Sequence, residues 1–464
     1  MPPATRSQTM RETVATSTAP AQDLLAHEHN VRLRRQTSES ASVNRSQTSI
    51  SRNAPDEPPR FTIDLSLPPE QRYLEVCAAF REQIHGLTPL FDEVVGDIVR
   101  FLPLKWLKRL SKTLLRKVYD SEESRELQGI SKATGVEMYL LVCFNVLLDL
   151  FMGCSSGGAA VREEEGEGSK MLHFRTLDWG MPSLRQVVVQ LDFTMEASGP
   201  IVASSITYAG YVGVLTGVRK DFSLSLNFRP SRNDKFKFWA DLRYYWHLLM
   251  VLLGKRRSIS SELRRFLLPT CSSRAWLSSK STEKSAGNVL PYHDVVKEVS
   301  GQGGKPLTTT ACYLCFSDGN ETTVMEKDRV SAVVRSNDEF IAITNNDIDR
   351  EDEAAMKQEE STNSTFAMAL AEIVDEAKDR RQCAEHNYHN LRAKKAKRSK
   401  MTADPKRILE VDDIVEMVQK YPTTNETTHF ACVMDPKLGI VRWCRRWKKP
   451  VTAKWIREHQ SETW

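Results

Sequence analysis

"FMGCSS" (residues 151–156), followed by "LHFRTLDWG" (residues 172–180), is the passage on which the reading of this chain turns. A cysteine closes an apolar run directly after a glycine, and an Arg-x-x-Asp pair follows on a strand-like stretch. Three readings of Cys154 compete on these residues: a buried core thiol, a metal ligand or a nucleophile. Upstream, "MYLLVCFNVLLDLFMGC" (138–154) is apolar nearly all round, which predicts a buried helix, or helix plus strand, feeding the glycine. Downstream, "SSGGAAVREEEGEGSK" reads as a polar Gly/Glu loop. The runs "MLHFRTLDW" and "RQVVVQLDF", split by "GMPSL", read as a hairpin or meander.

Further strands are expected in "PIVASSITYAGYVGVLTGV", "FSLSLNFRP", "TTTACYLCFSD", "TTVMEKD", "VSAVVRS" and "EFIAITNND". Between them "KFKFWADLRYYWHLLMVLLGKRRSISSELRRFLL" reads as two helices broken at "GKRRS". Strands and helices in separate blocks predict an α+β layered domain. The chain ends in a short helix, "VDDIVEMVQKYP", and a strand-like "THFACVMDPKLGIVRWCRRW" that can return to the sheet.

The 464 residues are 40% hydrophobic and 27% charged, with a net charge of +5, values of a globular chain with room for a large core. So mild a charge is no nucleic-acid footprint, and no nucleic-acid partner is expected. Nine scattered cysteines do not make the dense, even framework of a secreted disulfide scaffold, and the four N-x-S/T sites (Asn44, Asn320, Asn363, Asn425) matter only in a secretory compartment. Residues 1–55, rich in Ser, Thr, Arg and Gln, read as a disordered tail. With no signal-like core and no run of about 18 apolar residues, a cytoplasmic or membrane-peripheral site is expected over a lysosomal one. "FLPLKWLKRLSKTLLRKV" (101–118) sets leucines on one face and basic residues around the rest, a pattern that suits a lipid surface or a helix docked on its own domain. Residues 351–405 are charge-dense and read as a largely exposed insertion.

Cys312 and Cys315 lack the second pair or histidines that a zinc site needs, and no P-loop or G-x-G-x-x-G follows a strand, so no metal or cofactor is expected. Around Cys154 there is no papain-like signature. A cut between Gly153 and Cys154 would free an α-amine able to take the thiol proton, placing nucleophile and base in one residue. Arg175 would favour the thiolate and hold Asp178 in place. Since i and i+3 on a strand do not share a face, a turn or bulge at Thr176–Leu177 is implied.

In order and spacing, "GC", "HFRTLDWG", "VVVQLDF", "SSITYAGYVGVLTGVRKDFSLSLN" and "AITNND" resemble the acid ceramidase and N-acylethanolamine acid amidase family of N-terminal nucleophile cysteine amidases. The similarity starts at "PPRFTIDLSLPPEQRY", which resembles the start of the family's small chain. It implies an αββα sandwich with a helical small-subunit segment at 56–153, an amidase domain at 154–464, and a fatty amide as substrate, ceramide before N-acylethanolamine. It makes Cys154 the nucleophile and new N-terminus after self-cleavage, Arg175 and Asp178 its supporting pair, Asn345 the oxyanion donor and Arg380 the late arginine. The two subunits of one chain would stay together and meet a lipid surface. The chain departs from the family at Phe228, where Asn-Glu-Arg is usual, so that a carboxylate at the substrate entrance is replaced by an apolar ring.

Overall fold

Two adjacent antiparallel strands set the geometry of the site, and alternation along them decides which side chains meet. The computed structural model describes residues 56–88, 109, 111–147, 153–164, 168–230, 237–269, 289–302, 304, 307–350, 365–399 and 405–460. The expected 1–55 tail, residues 101–108 and 110 of the expected 101–118 helix, and residues 351–364 lie outside them.

Over the described residues the protein is mixed α/β with two sheets. Its strands are β1 (Arg60–Asp64), β2 (Gly153–Arg162), β3 (Ser169–Asp178), β4 (Val188–Thr194), β5 (Ile201–Tyr208), β6 (Thr216–Arg219), β7 (Phe222–Phe228), β8 (Cys312–Ser317), β9 (Thr322–Lys327), β10 (Ala332–Asn337), β11 (Phe340–Ile343), β12 (Thr428–Asp435) and β13 (Ile440–Arg446). Helices are α1 (Leu74–Gly86), α2 (Ser121–Thr134), α3 (Met138–Leu147), α4 (Lys237–Leu252), α5 (Ile259–Leu267), α6 (Tyr292–Ser300), α7 (Thr365–Ser399), α8 (Val411–Gln419) and α9 (Ala453–His459). The larger sheet runs β1-β4-β5-β6-β7-β8-β9-β10 and the smaller β11-β2-β3-β12-β13. None of the described helices is long and apolar enough to cross a membrane.

Of residues 155–170, expected as a loop, 155–162 belong to strand β2 and 169–170 to β3, the two strands pairing from Gly153↔Asp178 to Arg162↔Ser169. Small residues are needed there because neighbours come close on both sides. A Cβ on Gly157 would lie 2.2 Å from the Ile341 carbonyl oxygen, and one on Gly158 2.0 Å from the Thr322 hydroxyl of the larger sheet. The glycines of "SSGGAA", read as loop residues, are thus sites of close strand packing.

Both faces of β2 and β3 are buried. On one, His173 bonds the Ser223 and Ser225 hydroxyls of β7 at 2.8 Å each. On the other, Ala159, Val161, Leu172 and Phe174 pack with Tyr388 of α7 and Ile414, Met417 and Val418 of α8. Each large apolar side chain so buried contributes about 1.5–3 kcal/mol. Helix α5 lies on β6 and β7, and α6 on β8, β9 and β10.

The charged stretch expected to be largely exposed contributes one buried helix face. In α7, Ala377, Arg380, Cys383, Ala384, Asn387 and Tyr388 are buried, the i, i+3, i+4, i+7 spacing of a helix face, although the segment is polar on average. The segment before Cys154 supplies α1, α2 and α3 and also β1, which joins the larger sheet in parallel with β4. Asp120 caps α2 by accepting from the Glu122 and Glu123 amides, and Gly135 closes it at φ 78°.

Candidate active site

Cys154, Arg175, Asp178, Asn345 and Arg380, far apart in sequence, meet at one end of β2 and β3, each at most 2% exposed. The expected bulge between Thr176 and Leu177 is absent: β3 pairs regularly with β2 up to Asp178. Arg175 and Asp178 therefore project from opposite faces of β3, and each has different partners.

On the face toward β7, Arg175 Nη2 donates to Cys154 Sγ at 3.2 Å. Its Nη1 donates to the Leu226 carbonyl at 2.8 Å and to Asn227 Oδ1 at 3.0 Å. Ser156 also donates to Asn227 Oδ1, at 2.7 Å, while Asn227 Nδ2 reaches the Ile343 and Thr344 carbonyls at 3.2 Å. The Cys154 thiol itself points to the Leu226 carbonyl at 3.8 Å. Burial pushes this thiol up to about 11; Arg175, and after it Arg380, pull it down, and Asp178 adds to the rise. In the uncut chain the thiol is consequently protonated near neutrality.

On the opposite face, Asp178 is held by Arg380 rather than Arg175. Arg380 Nη1 donates to Asp178 Oδ2 at 3.1 Å and to Ser155 Oγ at 3.3 Å, and Thr428 donates to Asp178 Oδ1 at 2.6 Å. Burial raises the Asp178 carboxyl from its ordinary value, against the opposing pull of Arg380, Thr428 and Thr176.

Asn345, just beyond β11, joins the two faces. Its Oδ1 accepts from the Cys154 backbone N–H at 2.9 Å and from Arg380 Nη2 at 2.9 Å, and its Nδ2 donates to the Phe228 carbonyl at 2.8 Å. Two donors on one atom and an acceptor on the other fix the orientation of this amide. The sequence reading gave Asn345 only a donor role; its oxygen also holds the nitrogen of the Gly153–Cys154 bond.

Phe228, expected at the substrate entrance, is 7% exposed, and alternation along β7 turns its ring to the face opposite Asn227. In the uncut chain that ring therefore lines no open entrance. Sequence reasoning missed Ser155, Ser156, Asn227 and Thr428 as partners of the site. Asn227 stood in the quoted "NFR", but Thr428 lies 250 residues beyond its partner Asp178 and carries no local signal.

The sequence model of the family described as the beta subunit of N-acylethanolamine-hydrolyzing acid amidase matches residues 56–119. Mouse acid ceramidase is 30% identical over 196 residues, 38% of this chain and 47% of that protein. The N-acylethanolamine-hydrolyzing acid amidase of Caenorhabditis elegans is 30% identical over 193 residues, 39% of this chain and 50% of that protein. The chain thus spans about half the length of the curated relatives it matches. A solved structure of a Caenorhabditis elegans N-acylethanolamine-hydrolyzing acid amidase ortholog aligns at 22% identity and a TM-score of 0.38, covering 66% of this chain and 98% of that one. Over about two fifths of its length the chain is thus similar to members of the acid ceramidase and N-acylethanolamine acid amidase family.

Proposed function

We propose that the protein is a cysteine amidohydrolase that cleaves itself between Gly153 and Cys154 and then hydrolyses a fatty amide, ceramide in preference to an N-acylethanolamine. The observation that carries the reading is the pairing around Cys154: a guanidinium on its sulfur and an asparagine oxygen on its backbone nitrogen. In self-cleavage the thiol attacks the Gly153 carbonyl, the C–N bond breaks as the amine leaves, and water hydrolyses the resulting thioester. Asn345 Oδ1 receives the N–H of the departing amine. A free α-amine has a pKa near about 8 and takes the thiol proton that burial otherwise retains. The thiolate then attacks the substrate carbonyl, the tetrahedral intermediate expels the amine, and water releases the fatty acid. The oxyanion role falls to the Asn345 side-chain N–H, as the resemblance implies.

The finer architecture we assign is the αββα sandwich, 154–464 being the amidase domain and 56–153 the small subunit that stays attached. Supporting it are the contacts of β2 and β3 with β7 and β8 of the larger sheet, Gly158 against Thr322 of β9, and helices packed on each sheet: α5 and α6 on the larger, α7 and α8 on the smaller. For the lipid partner, support comes from α4. Leu242, Tyr245, Trp246 and Leu249, spaced i, i+3, i+4 and i+7, are 51%, 59%, 53% and 43% exposed, while His247 on the inner side is 1% exposed. Such a stripe suits the edge of a bilayer that holds the substrate. Of the expected 101–118 helix, the described part is helical only to the exposed Leu114, and Leu115 and Val118 beyond it are buried. The expected cytoplasmic site finds no support in these relatives.

Intact mass of the purified chain before and after acidification tests the cleavage, with a fragment starting at Cys154 expected. Ceramide and an N-acylethanolamine of equal acyl length then test the substrate order. Each buried methylene of a long-chain amine contributes about 0.8 kcal/mol and ethanolamine offers almost none, so kcat/KM should favour ceramide. A preference for the ethanolamide would reverse the order.

A further inference from the structure

The pairing of β12 with β3 is interrupted at the site. Thr428 lies opposite Asp178 and Phe430 opposite Leu177, so His429 is an extra residue in β12. Without it, residue 429 would face Asp178 and the hydroxyl would be out of register.

Fully buried His429 is pinned on both ring nitrogens. Nε2 lies 3.0 Å from the Trp179 carbonyl oxygen, which can only accept, so Nε2 carries the proton and Nδ1 accepts from the Tyr208 hydroxyl at 2.8 Å. The backbone around the bulge is held as firmly. Trp179 N–H donates to the Thr427 carbonyl at 2.9 Å, and buried Arg185 gives its hydrogens to the carbonyls of Glu426, Thr428 and Trp447. The direction of the Thr428 proton is also settled: its Oγ1 accepts from the Asn425 N–H at 2.9 Å, and its own hydrogen goes to Asp178 Oδ1 at 2.6 Å.

We propose that Thr428 is a positioning residue for Asp178, delivered to the carboxylate by the one-residue bulge that His429, Tyr208 and Trp179 hold in place. The proposal rests on the amidase reading, in which Asp178 supports the Cys154 centre. Arg380 fixes one oxygen of Asp178 from α7, and Thr428 fixes the other from β12. The charged or titratable groups around the carboxylate are Arg380 from α7, Cys154 from β2, Arg175 from β3, Tyr208 from β5 and Arg185 from the turn Pro182–Val187. A hydrogen bond to the ionised form keeps the proton off, so its loss raises the acidity midpoint of Asp178.

The test compares Thr428→Val, which keeps the shape and removes the hydroxyl, with Thr428→Ser, which keeps the hydroxyl. In a Cys154→Ala background, the Asp178 carboxyl stretch is followed by infrared titration, its band identified by subtraction of Asp178→Asn. The valine variant should titrate about one pH unit higher, the value of one hydrogen bond to a charged group, and the serine variant should match its parent. In the active enzyme the acid limb of kcat/KM should move the same way in valine and return in serine. An unshifted band in the valine variant, equal shifts in both variants, or a shifted band with an unmoved pH profile each overturns the proposal. If the wild type cleaves no fatty amide, the amidase reading fails on its own, while the titration still decides whether Thr428 sets the state of Asp178.

Discussion

The two faces of β3 carry opposite kinds of chemistry. Toward β7, Arg175 meets a thiol, a backbone carbonyl, an amide oxygen and a serine hydroxyl, and none of these hydrogen-bond partners is a carboxylate. Toward α7, Arg380 meets the carboxylate of Asp178 and the oxygen of Asn345. One guanidinium acts on the sulfur of Cys154; the other acts, through Asn345, on its nitrogen. Arg175 draws the thiol down more than Arg380 does, while Arg380 is the guanidinium that reaches the Cys154 nitrogen through Asn345, so the two faces weigh differently on the two atoms of Cys154.

Removing the residue on which both faces converge should have the largest effect. Cys154→Ala is expected to stay a single chain and to show no turnover, read by intact mass and a fatty-amide assay. A fragment beginning at residue 154 in that variant would mean that another nucleophile cuts the chain.

Next come the two arginines, which separate the faces by stability. Arg380→Met leaves the Asp178 carboxylate buried without its cation and should cost about 3–5 kcal/mol in urea unfolding. Arg175→Met orphans only neutral acceptors, for which about 1–3 kcal/mol is expected. Equal losses would erase the distinction between the faces.

Asn345→Ala cuts the link between them. Loss of one oxyanion donor costs about 3 kcal/mol, near a hundredfold in kcat, with a smaller change in KM. Self-cleavage should slow as well, because the same side chain holds the Cys154 N–H. A pure KM effect would assign Asn345 to substrate binding instead.

The smallest effect is a displacement along the pH axis. Burial pushes the Cys154 thiol up to about 11 and Arg175 is the largest influence drawing it back. A nearby cation favours the thiolate, so its removal raises the thiol further, and the limb of kcat/KM that reports the thiolate should move to higher pH in Arg175→Met. In Arg380→Met that limb should move less, since Arg380 is the weaker of the two influences on the sulfur. A larger displacement in Arg380→Met would reverse the assignment of faces.

The sequence by itself singled out the residues that the structure brings together here, and much of the strand inventory. Cys154, Arg175, Asp178, Asn345 and Arg380 were legible from short passages in a particular order, and runs such as "VVVQLDF" and "ACYLCFSD" form strands because alternating or continuous apolar residues fit a pleated surface. Tertiary structure decided what the members do to one another. That Arg175 and Asp178 sit on opposite faces, that "SSGGAAVR" is a packed strand, that a polar helix buries Arg380, and that Thr428 reaches Asp178 all depend on pairings between distant segments. A strand's own residues fix its period of two. Which face meets a sheet and which a helix, and where one extra residue shifts the register, is set by the partner strand, whose address is not written locally.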